Sequence, residues 1–320
     1  MNELAAEAAQ SALGVSPARR APVSRPQAPD VPHLAGGTGT GTGTGGPAVR
    51  SSRPTVPVEI KVDTGMHRVG ADPAMLPRLV ALLAERPQLD FVGLWTHLAV
   101  ADEPGNPFTG EQLARFEALR AEMAQAGVPA PARLHAANSA GAIAHPGSRY
   151  DMVRCGISLY GYLPSAAVGP ALVEAAGAGM LRPALSWKTQ VSYVRELGPG
   201  ERTSYGLAYK INERTDIATV PVGYADGVPR GLFEAGGELL VGGRRLPVAG
   251  VVTMDQLLVD CGPDSGVRRG DEVVLIGSQG DETVSAQEWA ARLGTISYEI
   301  LCRIGPRLPR RHVRGHLGPS

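Results

Sequence analysis

From Val56 onward the apolar positions switch repeatedly between a two-residue and a helical period. The run Val56-Pro-Val-Glu-Ile60 ends in the charged, glycine-rich string Lys61-Val-Asp-Thr-Gly-Met-His-Arg68-Val-Gly70, as a strand does when it feeds a loop and then a helix. Asp72-Pro73 predicts an N-cap with a first-turn proline, and Leu76, Leu79, Val80 and Leu83 share one helical face before Pro87 stops it. Phe91-Val-Gly-Leu-Trp-Thr96 is the next strand. Thr109-Gly-Glu-Gln112 has the form of a capping box, and Leu113, Phe116, Leu119 and Met123 make a stripe that ends at Gly127. Arg133-Leu-His-Ala-Ala137, with a helix from Ser139, and Met152-Val-Arg-Cys-Gly-Ile157 supply two more strands. Repeated βα units imply a parallel sheet with right-handed crossovers and a barrel as its closure, with chemistry at the C-terminal strand ends.

After Leu181 the texture changes. Ala184–Val194, Ile217–Val222, Leu239–Val241, Leu246–Val252, Gln256–Asp260 and Glu272–Ile276 read as short strands, with Gly242-Gly243 as a hairpin signal. Ser285-Ala-Gln-Glu288 caps one late helix, and Ile300 to Leu308 returns to strand. The expected organisation is therefore a (β/α) barrel unit over residues 56–180 and a β-rich domain over 181–315.

Residues 1–55 behave differently. Asn2 to Leu13 could form a short Ala-rich helix, but Ser16 to Pro54 is Pro, Gly, Ser and Arg with almost no large apolar residue, the composition of a disordered tail. Its glycine–threonine run, Gly36 to Gly46, matches GxGxxG-like patterns with no strand before it and no helix after it, so it is not read as a dinucleotide site. Across all 320 residues, 31 Lys and Arg balance 31 Asp and Glu, which gives no reason to expect nucleic acid or a membrane surface as partner. No apolar stretch approaches a membrane span and no secretory leader is visible, so the cytoplasm is the expected location. Cys155, Cys261 and Cys302 are few and widely spaced; they suggest neither disulfides nor a metal site and read as small buried hydrophobes.

An isolated Lys61 or Arg68 would be a solvated loop residue. The whole string, however, resembles the KVDTGMxRxG signature of the alanine racemases, enzymes of the pyridoxal-phosphate barrel class. Further blocks follow in the same order: Trp95-Thr-His-Leu-Ala-Val-Ala-Asp-Glu103, His135-Ala-Ala-Asn-Ser-Ala140 and Met152-Val-Arg-Cys-Gly-Ile-Ser-Leu-Tyr-Gly161. Thr203-Ser-Tyr-Gly206, Val222-Gly-Tyr-Ala-Asp-Gly227, Met254-Asp-Gln256 and Ile296-Ser-Tyr-Glu299 complete the match, which runs from about Val56 to Arg311.

In barrels the phosphate cradle is built by the last two βα loops, which here hold Asn138-Ser139 and Gly156-Ile157; a hydroxyl and backbone N–H groups there can hold an anion. Ser139 could equally be a plain helix N-cap. The resemblance adds the Tyr298 hydroxyl to the cradle. It also implies that Arg154 faces the pyridine nitrogen, where most pyridoxal enzymes place a carboxylate, and leaves that nitrogen unprotonated. His97 would orient Arg154, or be a buried strand-end residue. Racemisation needs an acid–base group on each face of Cα, and by resemblance one is the cofactor lysine and the other Tyr205, presented across a homodimer interface to the partner's barrel. Tyrosine is a reluctant base, so a neighbouring His or Arg must ease its phenolate. Met254 would offer a backbone N–H to the substrate carboxylate and Tyr224 would line the entrance. Arg68 would contact the cofactor's phenolic oxygen and the substrate carboxylate, braced by Lys61, a position carbamylated in many family members.

One departure stands out. The family's cofactor lysine lies in an AxxKADAYGHG-like segment before KVDTG, and nothing in residues 1–55 resembles it; the chain's lysines are Lys61, Lys188 and Lys210, none placed for that role. A full barrel takes more than ~200 residues, so a half barrel of about four βα units is expected, with an unpaired first edge. Three readings follow: a truncated, inactive alanine racemase for L- and D-alanine in peptidoglycan synthesis, a catalytically dead remnant that binds a phosphate ligand or partner, and a serine or dibasic amino-acid racemase.

Overall fold

The computed structural model describes residues 55–313, so the Ala-rich helix, the glycine–threonine run and the rest of the tail expected over residues 1–54 lie outside the described residues. The described residues form two compact units, one of residues 55–156 and 163–180, the other of 157–162 and 181–313.

In the first unit β1 (Val56–Lys61), β2 (Leu89–Trp95) and β3 (Arg133–His135) form a parallel sheet in that order. Helix α1 (Leu76–Ala84) joins β1 to β2, α2 (Phe108–Gln125) joins β2 to β3, and α3 (Ser139–Ala144) and α4 (Gly169–Ala176) follow. Strand alternation sends Ile60, Leu94 and Leu134 to the helix side, where they pack with Leu76, Phe116, Leu119 and Met123. Each fully buried side chain of this size stabilises the unit by about 1.5–3 kcal/mol. The same alternation gathers polar residues on the opposite face: Glu59 is paired with Gly93 and Lys61 with Trp95, and on the other side of β2 Gly93 meets Arg133 and Trp95 meets His135.

Asp72 caps its helical turn as expected, accepting from the Ala74 N–H at 2.8 Å. The Thr109–Gln112 capping box does not form. The helix begins two residues earlier than a Thr109 cap would set it, Asn106 Oδ1 accepts the Phe108 N–H at 3.1 Å, and Thr109 and Gln112 are both buried within the helix. Residues 152–156 form no strand. Only the Asp151 and Arg154 N–H groups reach the β3 segment, at Leu134 O and Ala137 O, 3.0 Å each, before Ile157 opens a helical turn.

The second unit holds three sheets. Strands β4 (Trp187–Gln190), β9 (Glu238–Val241), β10 (Arg244–Pro247), β12 (Glu272–Gln279) and β13 (Glu282–Val284) form one. The others are β5 (Tyr193–Leu197), β8 (Thr215–Val220) and β11 (Leu257–Asp260), and the pair β6 (Arg202–Thr203) and β7 (Tyr209–Lys210). The single strand expected over residues 184–194 is thus two strands in separate sheets. Gly242 and Gly243, at φ 60° and 72°, close the β9–β10 hairpin with the two left-handed residues that a tight turn of this twist requires. Leu239, Leu240, Val273, Leu275 and Trp289 anchor the core.

Ser285 caps α5 (Ala286–Leu293), its Oγ accepting the Glu288 N–H at 3.0 Å. The strand expected from Ile300 is instead helix α6 (Ser297–Arg303). Glu299 accounts for this locally: it takes a hydrogen bond from Thr295 Oγ1 and an ion pair from Arg303 one turn later at 2.7 Å. Of the three cysteines Cys261 is buried, Cys155 half-buried and Cys302 exposed, so the expectation of buried hydrophobes holds only for the first. Among the described residues no helix is long and apolar enough to cross a membrane.

Candidate active site

The site of the first unit is built where β1, β2 and β3 end. After β1, Asp63 Oδ1 accepts the N–H groups of Gly65 at 2.9 Å and His67 at 3.1 Å, which folds the loop back on itself. Lys61 Nζ donates to Val69 O across that loop and lies 5.4 Å from the centre of the Trp95 ring. Burial, then the Arg68 cation, lowers Lys61 from the ordinary lysine value, with Asp63 opposing. Arg68 itself is exposed. Gln112 of α2 fastens the next loop: its Oε1 accepts the Ala99 N–H at 2.8 Å, and its Nε2 donates to His97 O at 3.1 Å and Thr64 Oγ1 at 3.2 Å.

Arg154 lies over Trp95, 4.6 Å from the ring centre, and is held by acceptors alone. Nη2 donates to Thr96 O at 2.7 Å and Ala136 O at 3.0 Å, with His97 Nδ1 at 3.3 Å, and Nη1 donates to His135 Nδ1. His97 therefore touches Arg154 as expected, but His135 is the second imidazole on it, and Trp95 the platform beneath. Sequence reasoning named neither, although both stand in the matched blocks. Burial, followed by the cations Arg154, Arg68 and Lys61, pushes His97 down to about 4, so it is a neutral acceptor at neutral pH.

Asn138 and Ser139 divide the work expected of the cradle. Asn138 is the N-cap of α3, its Oδ1 accepting the Gly141 N–H at 2.9 Å while Nδ2 donates to Leu98 O at 3.2 Å. Ser139 is consequently not the cap; its Oγ accepts the Gly156 N–H at 2.9 Å and so joins the two loops that sequence reasoning paired. Ile157 opens a helical turn and is buried in the core of the second unit.

The second unit carries the remaining candidates. Tyr205 is 75% exposed, at the tip of a loop whose neighbours Ser204 and Leu207 have φ 63° and 50°. Ser204 Oγ donates to Val251 O at 2.7 Å and Arg202 Nη1 to Leu207 O at 2.9 Å, which ties the Tyr205 loop to the segment leading to Met254. Tyr224 and Met254 are brought side by side by backbone bonds, Tyr224 N–H to Thr253 O and Ala225 N–H to Met254 O, each 3.0 Å, and both side chains are exposed. Tyr298 lies part-exposed on α6.

These residues fit the ring end of a pyridoxal phosphate. Arg154 keeps its Nε–H without a hydrogen-bond partner among the described residues, a donor suited to an aromatic nitrogen, while the Gly156 N–H is spent on Ser139 Oγ. Of the chain's three lysines, Lys61 donates to Val69 O, Lys188 pairs with Glu272 at 3.0 Å, and Lys210 lies on β7.

A parallel α/β unit with an arginine presented at its strand ends, followed by a β-rich unit, is the layout of the barrel-class pyridoxal-phosphate enzymes whose family models match this chain. Residues 47–164 match the family model for the alanine racemase N-terminal domain, and residues 184–312 that for the C-terminal domain. The chain is 52% identical over 253 residues to the alanine racemase of Symbiobacterium thermophilum and 39% identical over 283 residues to that of Frankia casuarinae. Those alignments cover 79% and 88% of this chain, and 65% and 72% of the relatives. Among solved structures, the alanine racemases of Streptomyces lavendulae and, with bound L-Ala-P, of Bacillus anthracis each superpose with a TM-score of 0.74 at 37% identity. They match 82% and 83% of this chain and 67% and 66% of theirs. The chain belongs to the alanine racemase family. It spans just under two thirds of the length of the Symbiobacterium relative.

Proposed function

We propose that this chain, joined by a cofactor lysine other than its own three, interconverts L- and D-alanine for peptidoglycan synthesis in the cytoplasm, as a homodimer with Tyr205 facing the partner's barrel. The observation that carries the proposal is the setting of Arg154, a guanidinium gripped only by carbonyls and imidazoles with its Nε–H left to give. Pyridoxal phosphate, when bound, supplies the electron-withdrawing ring that acidifies the Cα–H of an amino acid. Arg154 would hold the ring nitrogen without surrendering its own proton, which would weaken the withdrawal and favour return of the proton to Cα over its transfer to the cofactor. Tyr205 moves the proton on one face of Cα. Arg68 and the Met254 N–H hold the substrate carboxylate, Tyr224 narrows the entrance, and Lys61 braces Arg68. Asn138, Ser139, Gly156, Ile157 and Tyr298 hold the phosphate. The alanine racemases among the relatives support alanine over serine or dibasic amino acids as substrate.

The test is D-alanine formation by this chain mixed with pyridoxal phosphate and the lysine-bearing barrel segment of the Symbiobacterium relative. Tyr205→Phe and Arg154→Glu should each cut conversion by about 10²-fold or more, and Arg154→Glu should raise transamination. A Tyr205→Phe protein that racemises at the parent rate would contradict the assignment.

A further inference from the structure

One carboxylate in the first unit has no part in the roles above. Glu59 on β1 points along the polar face of the sheet, with Oε2 3.1 Å from His135 Nε2 and Oε1 3.2 Å from Arg133. His135 is almost wholly buried, and its other nitrogen accepts from Arg154. That second contact decides the proton's place. A guanidinium can only donate, so His135 Nδ1 must carry its lone pair, and in a neutral imidazole the proton is then on Nε2, aimed at Glu59.

The backbone makes room for this arrangement. The β1–β2 register shifts between Val58 and Glu59, a bulge that re-aims the side chains after it and sets Glu59 opposite Gly93. A Cβ on Gly93 would stand 2.7 Å from Glu59 Cγ and 2.9 Å from Oε1. Glycine inside a strand is destabilising against alanine; here the space it leaves is filled by the Glu59 side chain.

We propose that Glu59 is a positioning residue for Arg154: by holding the His135 proton on Nε2, it keeps the Nδ1 lone pair as the acceptor that orients the guanidinium. The proposal deepens the reading of Arg154 as the group that meets the ring nitrogen and rests on it for its catalytic meaning, whereas the orientation is a property of this chain alone. The groups facing the imidazole are Glu59 from β1, Arg154 from the segment after Asp151, Arg133 from its own strand and the Trp95 ring from β2, stacked at 5.4 Å. Burial lowers the His135 pKa, the Glu59 hydrogen bond opposes it, and the net shift is downward, so the ring is neutral at neutral pH.

Nitrogen-15 labelled histidine in the purified chain, read by two-bond proton–nitrogen correlation without cofactor, tests the relay. The parent should show His135 as a single Nε2–H tautomer. Glu59→Ala should mix in the Nδ1–H form and shift the Arg154 guanidinium resonances, and Gly93→Ala should do the same by displacing an intact Glu59. Glu59→Gln, which keeps an acceptor oxygen, should retain the parent tautomer and report that the fold is intact. An Nδ1–H tautomer in the parent, or a Glu59→Ala spectrum identical to it, would overturn the proposal. Neither readout depends on racemisation, so failure of the racemase reading would be seen separately. In the reconstituted enzyme Glu59→Ala should lower kcat about tenfold with KM unchanged; a rise in KM alone would count against positioning.

Discussion

Ser204 is held at φ 63° and ψ −178°, a region of backbone space that is essentially reserved for glycine and costs on the order of 1–3 kcal/mol elsewhere. Its Oγ bond to Val251 O and the adjoining Thr203 Oγ1 bond to Ala249 O at 2.6 Å secure the strained turn that exposes Tyr205. The strain can be isolated by two substitutions that both delete the Oγ bond, of which only one sheds the strain. Ser204→Gly should therefore be more stable than Ser204→Ala, by about 1 kcal/mol or more in denaturant titrations; equal stabilities would show that no strain is stored there. At this scale the sequence was only half legible. The matched blocks pointed to Arg154, His97, Asn138 and Ser139, yet His135 stood in one of those blocks and was passed over. Its role depends on the pairing of Trp95 with His135 across β2 and β3, which no local spacing encodes. Glu59 was hidden for the same reason, since its partner lies 76 positions away.

Helices and strands whose periodicity is long enough to bury one face were readable in advance, as α1, α2 and the β9–β10 hairpin show. The misreadings fell on short segments. Residues 152–157 have strand-like composition, but only the Arg154 N–H among them reaches the β3 segment, and residues from Ile300 have β-branched character that yields to the Thr295, Glu299 and Arg303 side-chain bonds of α6. The Thr109–Gln112 string misled because Gln112 spends its amide on the loops after β1 and β2 rather than on its own helix start. That use makes α2 a clamp on the loop that carries His97. Gln112→Ala should leave the Ala99 N–H and His97 O without their buried partner and destabilise the protein by about 1–3 kcal/mol. It should also broaden the His97 signals while leaving those of the second unit sharp. A stability loss of a few tenths of a kcal/mol would mean that water replaces the amide and that the clamp is of no consequence.

For the molecule as a whole, the division of labour is between a unit that holds Arg154 and the Ser139–Gly156 junction and a unit that exposes Tyr205, Tyr224 and Met254. The two-part layout was visible in the change of texture near Leu181, because a parallel βα repeat and a series of short hairpins leave different hydrophobic periods. What composition could not convey was how Lys61 and Lys188 are committed. Lys61 serves its own loop and Lys188 its cross-strand glutamate, so the account requires ring and phosphate contacts from this chain and an amine from elsewhere. The most direct measurement is to mix the purified chain with pyridoxal phosphate, reduce with borohydride and map modified lysines by mass spectrometry, with cofactor binding followed in parallel by fluorescence. Weak, reversible binding and no reduced adduct at Lys61, Lys188 or Lys210 are expected, whereas a stoichiometric adduct at any of the three, accompanied by D-alanine formation, would show that the chain carries its own cofactor lysine.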